Sequence, residues 1–200
     1  MVVGVAGATT DSGALLAAGV AGLVGGAISM ALGEYVSVSS QRDSERALIA
    51  RETAELRDMP EEEFEELVSL YRARGLTDQT ARQVATELTD HDALAAHLEV
   101  ELHIDQDDLV SPWQAALSSA VAFTLGALLP LLAILLPPPG LRVPITFFAV
   151  LVALAVTGWV SAALGGAKRG LAVIRLIVGG SLALATTWLI GSLLGTTGLV

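Results

Sequence analysis

The stretch ALLAAGVAGLVGGAISMALGEYVSV, residues 14–38, decides the fold. It is 25 residues long and carries one charge, Glu34, near its end. A helix rises about 1.5 Å per residue, so about 20 apolar residues cross a ~30 Å hydrocarbon core. The stretch therefore reads as a membrane span, and its glycine and alanine content suits close helix packing in lipid. Three more runs of the same kind follow: AALSSAVAFTLGALLPLLAILL (115–136), VPITFFAVLVALAVTGWVSAAL (143–164) and LAVIRLIVGGSLALATTWLIGSLL (171–194). Residues 1–8 are apolar but too short to span, and they meet the turn-like TTDSG at 9–13. They read as the last two turns of a membrane helix whose beginning lies outside this sequence. With no basic n-region, a cleavable signal peptide is not expected. The predicted fold is an all-α transmembrane bundle, four full spans plus a stub of the first, with a helical domain inserted between spans.

Charge locates that insert. Of 21 acidic residues, 20 lie between Glu34 and Asp108, so the formal charge of −10 belongs to the middle of the chain. The predicted organisation is residues 1–40, a partial first and complete second membrane helix; 41–112, a glutamate-rich helical domain; and 113–200, the last three spans. Arg42, Arg46 and Arg51 follow the first full span, and Lys168, Arg169 and Arg175 cluster near the last connection, whereas LPPPGLRVP carries only Arg142. By the positive-inside rule, residues 41–112 and the 165–170 loop face the cytoplasm, with Trp113 as an interfacial anchor. The chain has no cysteine, which excludes disulfides and thiolate metal sites.

Within 41–112 the pattern is helical and punctuated. Asp58-Met59-Pro60 ends one helix and begins another, Gly75-Leu76-Thr77 gives a stop and an N-cap, and Thr89-Asp90 offers a further cap. Four helices are expected, near 41–57, 60–74, 77–88 and 90–103, with Leu67, Val68, Leu70 and Tyr71 as an apolar face. The segment RETAELRDMPEEEFEEL (51–67) packs seven glutamates into seventeen positions. Glu52 and Glu55 are three apart on one helix, and Glu63 and Glu66 three apart on the next, so each pair shares a face. Two such faces together would form a carboxylate cage for a divalent cation. The same residues read equally as a solvated helix face. His97 and Glu101, four apart, are either a second ligand pair or an exposed polar face. Met30 and Glu34 share a stripe of the first span, and a carboxylate in a membrane helix tends to face a cavity, partner or ion path. Gly22 and Gly26 form a small-xxx-small pair, a candidate helix contact between copies.

These residues resemble the vacuolar iron transporter family of divalent metal/proton antiporters. The likeness runs through GAISMALGEYVSVSSQRDSE (26–45), the spacing of Glu52, Glu55, Glu63 and Glu66, and SPWQAAL (111–117). The resemblance implies a homodimer of five-helix subunits with a cytoplasmic metal-binding domain. It implies metal ligands at Glu52, Glu55, Glu63, Glu66 and Glu101, and a translocation path at Met30 with Glu34 beside it. His97 and Leu98 stand where the family has a methionine pair, so one imidazole replaces two thioethers. The family's first helix also carries an aspartate in an Asp-Gly turn that precedes the start of this chain, which predicts poor transport by residues 1–200 alone.

The expected function is export or sequestration of cytosolic Fe²⁺ and Mn²⁺ in exchange for protons, serving iron homeostasis. The metals are cargo and domain-bound ions. No prosthetic group, catalytic residue, enzymatic activity or nucleic-acid partner is expected; the partners are divalent ions, protons, the lipid bilayer and a second copy. Two rivals stay open: a membrane-anchored metal sensor or scaffold, and a ferritin-like di-iron oxidase. The oxidase fold uses Glu-x-x-His pairs, and residues 41–112 contain none.

Overall fold

The computed structural model describes residues 1–105 and 110–197. Its regular elements there are all helical: α1 (Val2–Ala8), α2 (Ser12–Asp58), α3 (Pro60–Ala73), α4 (Asp78–His97), a π-helical turn (Leu98–Leu102), α5 (Pro112–Leu135), α6 (Arg142–Leu164) and α7 (Arg169–Thr196). Four helical stretches are long and apolar enough to cross a membrane, in α2, α5, Pro139–Leu164 and α7.

The expected helix at 41–57 is not a separate element. It continues the first span as one 47-residue helix, α2, about 70 Å long. Composition changes at Ser39-Ser40-Gln41, but a helix ends only where its backbone pattern is interrupted. From Ser12 to Asp58 there is no proline, and no glycine takes a positive φ. The interruption comes at Met59 (φ −138°, ψ 50°), with Pro60 opening α3, where its missing N–H costs nothing. Gly75 (φ +99°) then turns the chain, and the Thr77 hydroxyl accepts from the Thr80 N–H at 3.3 Å. The last break falls at Asp92 (φ −162°, ψ 94°) rather than at Thr89-Asp90. The Asp92 carboxylate accepts from the Ala95 N–H at 2.9 Å and recaps the helix.

Contacts group the chain into two compact units, one comprising Gly33–Ala116 and the other Met1–Leu32 with Leu117–Val200. In the first, Leu67, Val68, Ala81, Ala85, Ala96 and Val100 form the core, flanked by Phe64, Leu70, Tyr71, Leu76 and Leu88. The alanines let α3 and α4 approach closely. Tyr35 and Trp113 pack with ring centroids 4.8 Å apart.

In the second unit α1 lies on α7, and α7 on α6, through small residues. A Cβ added at Gly191 would strike the Gly4 carbonyl, and one at Gly195 would meet the Ala8 backbone. Gly158 sits against Val173 and Leu176. Buried Arg142 donates to the Thr10 carbonyl (2.9 Å), Ser12 Oγ (2.6 Å) and the Pro137 carbonyl (3.3 Å), tying two turns together. Gly22 and Gly26, read above as a contact between copies, instead face Met1 and Phe123 of the same chain. That side of α2 is already occupied.

Because the Gly4–Gly191 contact is backbone on backbone, it has no flexible neighbour to yield. Gly191→Leu is expected to destabilise the detergent-solubilised chain by about 1–3 kcal/mol, read as a lower thermal midpoint. Gly25→Leu, which meets nothing within 4 Å, should not lower it.

Candidate metal centre

Three elements of the Gly33–Ala116 unit converge on one buried point. Glu52 comes from α2, Glu63 from the first turn of α3 and His97 from the end of α4. Their exposures are 3%, 6% and 1%, which is unusual for carboxylates. One donor atom from each lies within 4.8 Å of the other two. His97 Nδ1 is 3.0 Å from Glu52 Oε1 and 3.6 Å from Glu63 Oε2. Glu101, one turn on, brings Oε2 to 3.9 Å from the same nitrogen.

Close as they are, neither His97 Nδ1 nor Glu52 Oε1 has a partner in hydrogen-bonding geometry. Buried polar atoms are normally satisfied, so two facing orphans call for a third body. Two donors about 2.1 Å from one cation at right angles stand about 3.0 Å apart. An oxygen-rich set with one imidazole suits a borderline first-row divalent ion better than Mg²⁺ or Ca²⁺, whose ligands are oxygens.

The local fold explains the convergence. The Met59-Pro60 break redirects the chain between α2 and α3, and Glu63 in the first turn of α3 comes within reach of Glu52. The Asp92 break and the π-helical turn re-aim the chain around His97 and Glu101, while Leu98 and Val100 on the same segment are buried. π-Helical turns of this kind recur at functional sites.

Electrostatics follow from crowding. Burial, then repulsion from Glu101, Glu63, Glu55 and Glu66, pushes the Glu52 carboxyl up to about 7. Burial and then Glu66, Glu55 and Glu101 raise Glu63. Burial lowers His97 against the opposing pull of Glu101 and Glu66. Without a cation, Glu52 is thus half protonated near neutrality and His97 is uncharged. A bound divalent ion reverses the preference for the carboxylates.

The other predicted residues are placed less centrally. Glu55 is paired with Arg51 at 3.0 Å, and Glu66 is exposed; both act on the buried trio through charge. Arg51, noticed in the sequence only for topology, is the residue the reading missed, and the signal was its i,i+4 spacing to Glu55. Glu65 points away from the cage, its carboxylate forked by Arg82. Met30 and Glu34 are both exposed on α2. They do not join the buried trio.

The chain matches the VIT family over residues 1–192. It is 40% identical over 193 residues to a vacuolar iron transporter of Acanthamoeba castellanii, covering 93% of this chain and 72% of that protein. It is 34% identical over 200 residues to vacuolar iron transporter homolog 2 of Arabidopsis thaliana, covering 100% and 78%. Vacuolar iron transporter homolog 1 of Oryza sativa subsp. japonica is 35% identical over 199 residues, covering 99% and 68%.

The pKa directions fix two signs. Metal must displace the Glu52 proton, so Mn²⁺ affinity should fall about tenfold per pH unit below about 7, measured by calorimetric titration between pH 5.5 and 7.5. A carboxyl raised from 4.5 to about 7 stabilises the metal-free fold fully below 4.5 and loses that contribution as pH rises through 7. The unfolded imidazole is half protonated at pH 6.5 and largely neutral by about 7.5, so the lowered His97 offsets this trend only in part, at the acid end of that range. The metal-free thermal midpoint should therefore drop between pH 6.5 and 8, and Mn²⁺ should restore it.

Proposed function

We propose a metal-transport function for this chain, which belongs to the VIT family: it moves divalent iron across the membrane in which it is integral. The observation that carries the reading is the buried Glu52–Glu63–His97 cluster with its two unpartnered donor atoms. It is built on a helix whose earlier part is a membrane span. The relatives named as vacuolar iron transporters support iron as the cargo.

In mechanism, residues 41–112 are the insert, facing the cytoplasm, and their cage collects the ion. Glu52, Glu63 and His97 supply the inner ligands and Glu101 a fourth. Glu55 and Glu66 enrich the local cation concentration by charge. Mn²⁺ is accepted because carboxylate-rich sites with one imidazole hold it by the same geometry. Glu34 and Met30 on α2 line the membrane path, a carboxylate and then a thioether station. The exchanged ion is the proton, which competes with metal for carboxylate oxygens: a proton on Glu52 excludes metal, so cytoplasmic pH sets how readily the cage loads. The working unit is a homodimer. Its contact lies on a surface other than Gly22 and Gly26, which face their own chain. The chain performs no covalent chemistry in this scheme.

The test is pH-driven uptake of Mn²⁺ or anaerobic Fe²⁺ into vesicles bearing the full chain. Glu52→Gln with Glu63→Gln should cut uptake at low metal by at least about tenfold, the loss of one charged ligand being worth more than 1.4 kcal/mol. His97→Ala should weaken metal binding and shift preference from Fe²⁺ toward Mn²⁺. Metal binding without flux, both in this chain and in a version extended with a first helix bearing the family's aspartate, would instead establish a sensor or scaffold, and oxygen-dependent consumption of Fe²⁺ an oxidase.

A further inference from the structure

The start of α7 carries three cations, Lys168, Arg169 and Arg175, that the metal cage does not use. They divide by helical face. The inward face of α7 is set by Val173 and Leu176 against Gly158, and further along by Thr187 and Gly191 against Gly4. Arg169 lies on the α6 side, its guanidinium over the Trp159 ring at 5.2 Å. Lys168 and Arg175, seven positions apart, share the opposite face, about 10 Å apart along the axis. Below them on that same outward face are Val178, Leu182, Leu189 and Leu193, all exposed.

Lys168 and Arg175 are themselves exposed and make no ion pair among the described residues. The only acidic residue of Met1–Leu32 and Leu117–Val200 is Asp11. Its carboxylate is engaged with the Ala14 N–H at 2.6 Å. It lies in the turn held by Arg142, which opens α6, whereas Lys168 follows the other end of that helix. No acidic side chain among the described residues of this unit therefore neutralises the pair.

We propose that this outward face of α7 is a docking surface for an anionic phospholipid, with the headgroup phosphate between Lys168 and Arg175 and an acyl chain along Val178 and Leu182. Charge complementarity selects the occupant. An aqueous anion would leave the apolar stripe below uncovered. A second copy meeting this face about a twofold axis would set Lys168 and Arg175 against their own equivalents, which like charge opposes. A zwitterionic headgroup brings its own cation and gains less. Arg175 is one turn and a half inside α7 from Arg169, a depth at which a long side chain reaches headgroups by snorkelling.

The experiment is native mass spectrometry of the detergent-purified full chain equilibrated with equal phosphatidylglycerol and phosphatidylcholine. Wild type should retain phosphatidylglycerol several-fold over phosphatidylcholine. Lys168→Gln with Arg175→Gln should abolish the preference, while Lys168→Arg with Arg175→Lys keeps it. Mn²⁺ binding by both variants should match wild type, which confirms that they are folded. Millimolar inorganic phosphate should not displace the lipid. Equal retention of both lipids by wild type, preference persisting in the glutamine variant, or displacement by phosphate would each overturn the proposal. None of these outcomes depends on transport.

Discussion

Bringing Glu52 and Glu63 together in a space that excludes water is the constraint from which the rest of the Gly33–Ala116 unit follows. Two buried carboxylates repel, and the unit has only a few ways to relieve them. It takes up a proton, as the raised Glu52 and Glu63 carboxyls indicate. It places a neutral imidazole rather than a third charge at the centre. It draws charge off the margin, Arg51 holding Glu55 and Arg82 holding Glu65. What remains is a buried cluster that, in the proposed function, a divalent cation neutralises.

The scaffold tolerates this because the cohesive packing is elsewhere. Leu67, Val68, Ala81, Ala85 and Val100 join α3, α4 and the π-helical turn, so the cage lies on a platform that does not need the carboxylates to be charged. Breaks at Met59 and Asp92 are then free to serve geometry. Each sits where helical backbone is given up, and each lies just ahead of part of the cluster: Met59 precedes the first turn of α3 with Glu63, and Asp92 precedes His97 and the π-helical turn with Glu101.

Much of this is legible from the residues, and the failures have physical reasons. The spans follow from the lengths of the apolar runs, and the turns at Met59-Pro60 and Gly75-Thr77 follow from proline and glycine chemistry. The continuity of α2 was missed because a change from apolar to polar composition resembles a boundary, although nothing there interrupts the i to i−4 ladder. The orientation of Gly22 and Gly26 was missed because small-xxx-small spacing reports close packing without naming the neighbour. For His97 and Glu101, spacing alone favoured an exposed polar face over a ligand pair. The decision lies in tertiary structure, where a non-helical Asp92 turns His97 into the most buried ionisable group of the unit.

A transporter must also let go of what it binds, and the cage chemistry bears on that. A rigid site of permanently ionised carboxylates would hold a divalent ion too tightly to pass it on. A carboxyl poised near neutrality changes the balance, because a modest rise in proton concentration competes directly with metal for Glu52. The imidazole adds a ligand without adding charge that would deepen the well. A thioether in its place would add no proton-sensitive donor, whereas His97 is itself a proton acceptor once acid is sufficient. In the proposed function, an imidazole beside the carboxylates makes capture sensitive to pH at both kinds of donor, which suits a site that exchanges its ion rather than stores it.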